Sequence, residues 1–178
     1  MDSSGKTKRS MWHRALSLDE AISTRVASMH KESMTHAMVT FTRLGDASSW
    51  VALAFVLLAI GEPTRRYFSL LVVSSILATI ATQVVKHLCR RQRPRLSTEE
   101  FEDHRPDEYS FPSGHTTTAF AVGAAMLGEG AFLGSLLLTA AGLIGFSRVY
   151  LRAHYPLDVI AGSFLGILIG LLTRFLIL

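Results

Sequence analysis

A chain of 178 residues fits one domain and leaves no room for a separate soluble catalytic module beside a membrane part. Nearly half the residues are hydrophobic (49%), with a mean hydropathy of +0.32, and they are gathered into long uncharged runs that set aside an ordinary soluble core. The formal charge of +4 does not indicate a nucleic-acid partner, because the positive residues flank the apolar runs; with Cys89 as the only cysteine, no intrachain disulfide can form.

Residues 1–16, with Lys6, Lys8, Arg9 and Arg14, are expected to form a flexible basic tail, with no apolar stretch behind it to make a signal peptide. The membrane domain is expected over 17–178. Ser17-Leu18-Asp19-Glu20 carries a capping-box pattern, so a helix should start there and run towards Lys31. Its apolar residues Ala21, Ile22, Val26 and Met29 fall near helical spacing and suit an interfacial amphipathic helix. His36 to Leu44 continues in the same mixed style until Gly45-Asp46 breaks it.

Five candidate spans follow, giving an all-α integral membrane bundle. They run about Ser48 to Gly61, Tyr67 to Lys86, Ser113 to Leu127, Ala131 to Tyr150, and Tyr155 to the C-terminus. Tyr67 to Val85 holds no charge, and Thr116 to Ser147 holds only Glu129; a crossing helix needs about 20 apolar residues. If the stretch 33–44 also crosses, there are six spans. A polar loop joins the second and third spans, with Glu99, Glu100, Glu102 and Asp103 in its middle, and reads as solvated. Gly162, Gly166 and Gly170 recur every four residues, a close-packing face for a neighbouring helix.

The turns bring three polar segments to one membrane face. Lys86-His87-Leu88-Cys89-Arg90-Arg91-Gln92-Arg93-Pro94 alone is a basic cluster suited to lipid headgroups. Phe111-Pro112-Ser113-Gly114-His115 alone is a helix start, with Ser113 as cap and free backbone N–H groups that attract anions. In the third segment, a helix beginning near Pro156 sets His154 at its mouth and Asp158 one turn further in. That offset lets the carboxylate accept a hydrogen bond from one imidazole nitrogen and leaves the other as a nucleophile; an unrelated His and Asp would look the same. Ionisable groups at one depth of a membrane protein are costly unless they serve a site.

Lys86-x6-Arg93-Pro94, Pro112-Ser113-Gly114-His115 and Ser147-Arg148-x5-His154-x3-Asp158 together resemble the three-part signature of the type 2 phosphatidic acid phosphatase (PAP2) superfamily, in order and without departure. The resemblance implies that His154 attacks phosphorus and that Asp158 holds its tautomer. It implies that His115 protonates the leaving group and then activates water, and that Lys86, Arg93, Arg148, Ser113 and the Gly114 N–H bind the phosphoryl oxygens. Fixed positive charge then does what a metal does elsewhere, so no cofactor or metal is expected, and no cluster with metal-ligand spacing is visible. His87 and Arg91 are expected to face headgroups, Arg152 and Tyr155 are open between substrate contact and packing, and His30, His36 and His104 have no visible partner.

A metal-independent lipid phosphate phosphatase, acting through a phosphohistidine, is the expected function, with a polyisoprenyl phosphate or diphosphate favoured as substrate. The alternatives are a phosphatidylglycerophosphate, lipid A or phosphatidic acid phosphatase, a lipid phosphotransferase, or a non-catalytic lipid-binding scaffold; a vanadate-holding haloperoxidase is disfavoured by the uncharged spans. Lipid is the expected partner. The multi-pass protein is expected in a cell inner membrane or endomembrane, with the basic N-terminal residues favouring a cytoplasmic active-site face.

Overall fold

The computed structural model describes residues 3–94 and 108–177, and the acidic loop cluster and His104 lie outside them. Among the described residues there are seven α-helices: α1 Ser3–Ala27, α2 Glu32–Leu44, α3 Ala47–Ile60, α4 Arg65–Cys89, α5 Gly114–Met126, α6 Ala131–Tyr150 and α7 Pro156–Ile177. α4, α6 and α7 are long and apolar enough to cross a membrane, and α2 with α3 qualifies as a bent pair, turned by 57° at Gly45-Asp46. The protein is therefore an all-helical membrane bundle.

The segment at 3–16 is drawn into α1 rather than standing as a separate tail, and α1 runs straight through the Ser17 capping pattern. Ser17 Oγ donates to Arg14 O at 2.9 Å, three residues back, so its hydroxyl serves the helix interior instead of a first turn. α2 packs against the C-terminal end of α6. Its start is tied to Tyr150, which takes the Lys31 N–H at 3.0 Å, and near its end Thr42 accepts from Ser147 and Arg148. Both ends thus meet the C-terminal end of α6. α3 has fourteen residues, about 21 Å at 1.5 Å per residue.

The centre belongs to α5, which packs against α4, α6 and α7. Its thirteen residues are mostly small, and Ala119, Ala121, Val122, Gly123, Ala124, Ala125 and Met126 are all buried. Small side chains let backbones approach closely where lipid supplies no hydrophobic drive between helices. Gly162, Gly166 and Gly170 of α7 face α5 as their spacing predicts: a Cβ on them would lie 2.9 Å from Ser113 O, 2.4 Å from Thr117 O and 2.3 Å from Ala121 O. Gly166→Val is therefore expected to lower the thermal midpoint in detergent, with a loss of at least about 1–3 kcal/mol from overpacking. Gly142→Ala, at a position with nothing within 4 Å of the new methyl, is the control and should unfold with the wild type.

One stripe of α4 explains how charge enters the bundle. Leu70, Ser74, Ala78, Thr82 and Lys86 are all buried and recur every four residues, so they share a face. Lys86 ends that stripe, and helical periodicity alone turns it inward.

Candidate active site

The C-terminal ends of α4 and α6 and the N-terminal ends of α5 and α7 meet at one end of the bundle. Arg90, in the left-handed conformation (φ 47°), closes α4 and sends the chain inward. Gln92 and Tyr109 then pair as an isolated antiparallel bridge, so the two ends of the connection return to each other. Lys86, Arg93, Gly114, His115, Arg148 and His154 all line one cavity of about 700 Å³. Ser113 and Asp158 are fully buried behind it, joined through the backbone by Ser113 N–H to Asp158 O at 3.0 Å. All eight residues expected from the sequence are therefore brought together.

His154 sits in the connection between α6 and α7, 1% exposed. Its Nε2 lies 3.2 Å from Arg93 Nη1. A guanidinium can only donate, so Nε2 carries the lone pair and the ring proton is on Nδ1. Burial first, and then the charges of Arg148, Arg93 and Lys86, hold the imidazole well below its ordinary pKa and keep that lone pair available at neutral pH. Each cation is itself oriented: Lys86 Nζ donates to Tyr109 O at 2.8 Å, Arg93 to Ala153 O at 2.8 Å, and Arg148 to Thr42 Oγ1 at 2.9 Å.

The expected bond between His154 and Asp158 is not made. Nδ1 and Oδ2 are 3.6 Å apart, beyond hydrogen-bond length, and Nδ1 has no hydrogen-bond partner. The carboxylate is engaged elsewhere. Oδ2 reaches back to the Tyr155 N–H at 2.9 Å, closing the first turn of α7, and Oδ1 accepts from Arg91 Nη1 at 2.7 Å.

Arg91 therefore does not face headgroups. It bridges Asp158 and Asp19, donating to Asp19 Oδ2 at 2.5 Å, and its guanidinium lies 4.1 Å from the Tyr155 ring centroid. Two buried carboxylates outcompete lipid for one guanidinium. Asp19 also accepts the Leu157 N–H at 2.9 Å, so α1 is fastened to the start of α7. Arg152 reaches Glu20 of α1 at 3.2 Å, a packing role. His87 stays exposed, bonded to Gln83 O, and His30 stacks on Tyr150 with centroids 4.4 Å apart.

Three residues at the site were not singled out from the sequence: Thr42, Asp46 and Asp19. Asp46 Oδ1 lies 2.7 Å from His115 Nε2. A clue was present, since Asp46 is the single acidic residue between Glu32 and Glu62 and stands beside a long apolar run. Ser113 Oγ accepts from Thr116 Oγ1 at 2.9 Å and makes no capping bond. Among the described residues, no group of three or more His, Cys, Asp or Glu side chains is arranged to hold a metal.

Away from the charged end, the same cavity continues between α3 and α4, lined by Trp50, Val51, Ala54, Leu71, Val72, Ile76 and Ile80. A cationic pocket opening onto an apolar groove matches the two ends of a lipid phosphate.

Comparison with known proteins agrees with this geometry. The sequence profile of the PAP2 superfamily matches residues 66–177. The chain is 33% identical over 140 residues to an undecaprenyl-diphosphatase of Sulfolobus acidocaldarius, covering 76% of this chain and 67% of that one. It is 30% identical over 151 residues to the undecaprenyl-diphosphatase BcrC of Bacillus subtilis, covering 82% and 76%. Among solved structures, the transmembrane PAP2-type phosphatidylglycerolphosphate phosphatase of Bacillus subtilis superposes with a TM-score of 0.77 at 25% identity, covering 92% of this chain and 86% of that one. The chain belongs to the PAP2 superfamily and is a membrane-embedded lipid phosphate phosphatase.

Proposed function

We propose that this enzyme hydrolyses a polyisoprenyl diphosphate or phosphate through a phosphohistidine at His154. The observation that carries the reading is the Nε2 lone pair of a buried neutral imidazole, facing Arg93 among three cations at the head of an apolar groove. Lys86, Arg93 and Arg148 hold the phosphoryl oxygens, with the Gly114 N–H at the start of α5 adding a donor and Ser113 shaping that turn. Nε2 attacks phosphorus, the bond to the lipid oxygen breaks with its electron pair staying on that oxygen, and His115 supplies the proton. Water then attacks phosphorus, His115 takes its proton, and the N–P electron pair returns to His154. Asp158, held by Arg91, faces the Nδ1 proton and stabilises the positive charge that grows on the ring.

The polyisoprenyl substrate is supported by the branched aliphatic lining of the groove and by the names of the relatives. The likeness to a phosphatidylglycerolphosphate phosphatase favours a second substrate, and a phosphate-release screen of purified protein in detergent discriminates between them. Polyisoprenyl diphosphate is expected to be turned over fastest, ahead of phosphatidylglycerophosphate, phosphatidic acid and lipid A. Release from none of these would end the phosphatase reading, and transfer to a second lipid without free phosphate would make the protein a phosphotransferase.

The cationic cradle needs no metal to neutralise the phosphoryl group. Activity is thus expected to survive EDTA and to be inhibited by vanadate; loss with chelator and return with magnesium would contradict this. The active-site face is assigned to the cytoplasm on the positive-inside rule, because the N-terminal stretch carries Lys6, Lys8, Arg9 and Arg14 and the helix that follows is fastened to the site end through Asp19 and Glu20. Exposed Cys89, at the same end, reports on this directly. A membrane-impermeant maleimide should label it only after the cells are opened, and labelling of intact cells would reverse the assignment.

A further inference from the structure

We propose that Asp46 is a positioning residue for His115, fixing which imidazole nitrogen carries the proton that moves. The inference rests on the hydrolytic reading above and assigns a function to the turn between α2 and α3. Asp46 stands at the N-cap of α3, where an aspartate ordinarily accepts a hydrogen bond from the first turn. It makes no such bond. Its Oδ1 is turned instead to His115 Nε2 at 2.7 Å, the length of a charge-assisted hydrogen bond.

The turn is built for that approach. A Cβ on Gly45 would lie 3.0 Å from His115 Cδ2 and 2.8 Å from Ile144 Cγ2, so a larger residue would push the turn off the imidazole. Trp50 Nε1 donates to Gly45 O at 3.3 Å and ties the turn to α3. Asp46 also lines the cavity that holds both the cations and the apolar groove.

With Nε2–H held by the carboxylate, Nδ1 is the nitrogen that exchanges protons. In the first step the P–O bond breaks, its electron pair stays on the leaving oxygen, and the Nδ1 proton moves there. In the second, water adds to phosphorus, Nδ1 takes its proton, and the N–P pair returns to His154. Nε2–H stays on Asp46 throughout, and its negative charge offsets the positive charge of His115 before proton donation.

The test is steady-state kinetics of purified full-length Asp46→Asn and Asp46→Glu in detergent, on the lipid phosphate that the wild type turns over fastest, with thermal unfolding of each. Asp46→Asn is expected to lower kcat about 10- to 100-fold, part of the 10²–10⁴ that acid–base catalysis supplies. KM should stay within about 3-fold, and Asp46→Glu should recover at least half of the lost activity on a logarithmic scale. A folded Asn variant with wild-type kcat overturns the proposal. So does a loss shared between kcat and KM, with a lowered midpoint that Glu does not mend, since that marks a structural role. A wild type that releases no phosphate from any lipid would refute the phosphatase reading instead, which separates the two failures.

Discussion

His154→Ala is expected to lower phosphate release by about 10⁴-fold or more, the scale at which removal of a covalent nucleophile leaves only binding and electrostatic assistance. No neighbour can replace it. Lys86, Arg93 and Arg148 are cations whose electron pairs are unavailable, and His115, on α5 beside Asp46, is read as exchanging protons with oxygen rather than attacking phosphorus. The variant should still elute and unfold as a folded protein, because the guanidinium of Arg93 keeps its bond to Ala153 O and that of Arg148 its bond to Thr42. Vanadate protection against unfolding should weaken as well, since the imidazole is the apical ligand that vanadate requires. A folded His154→Ala protein retaining more than a tenth of wild-type activity would remove the nucleophile from this position.

Arg91→Leu is expected to cost both stability and activity. Its guanidinium is the common partner of Asp158 and Asp19, whose side chains are 0% and 1% exposed. Removing one member of a buried ion pair leaves charge without compensation, which costs about 3–5 kcal/mol and moves the midpoint by about 10 °C in a chain of this size. The activity loss follows because Asp158, released from Arg91, no longer presents a fixed carboxylate 3.6 Å from His154 Nδ1. Asp19→Asn separates the two effects. It keeps Arg91 on Asp158 and should lower the midpoint more than it lowers kcat. If Arg91→Leu unfolds at the wild-type midpoint with wild-type activity, Arg91 is a headgroup contact after all.

The architecture was legible because its signals are local or periodic. The Gly162, Gly166, Gly170 spacing predicts the face that meets α5, whereas the stripe that turns Lys86 inward emerged only from the burial of α4. The convergence of Lys86, Arg93, Ser113, Gly114, His115, Arg148, His154 and Asp158 followed from the chain reversing at each turn, a matter of span order alone. What was hidden depends on partners far apart in sequence. Nothing near Arg91 announces Asp19, and nothing near His115 announces Asp46 or the tight turn that Gly45 permits. The four-residue offset of His154 and Asp158 predicted a hydrogen bond, but a guanidinium and the Tyr155 N–H compete for the same carboxylate and win. Local pattern likewise misled at Ser17, where a capping motif lies inside a continuous helix.

The most direct test of the central claim is to catch the covalent intermediate. Purified protein is mixed with lipid phosphate carrying radioactive phosphorus, quenched in base within milliseconds, and digested to locate the label. A base-stable, acid-labile phosphoryl group on His154, absent from His154→Ala and retained longer in His115→Ala, is the predicted result. Label on another residue, or none while inorganic phosphate is being released at the wild-type rate, would contradict the account.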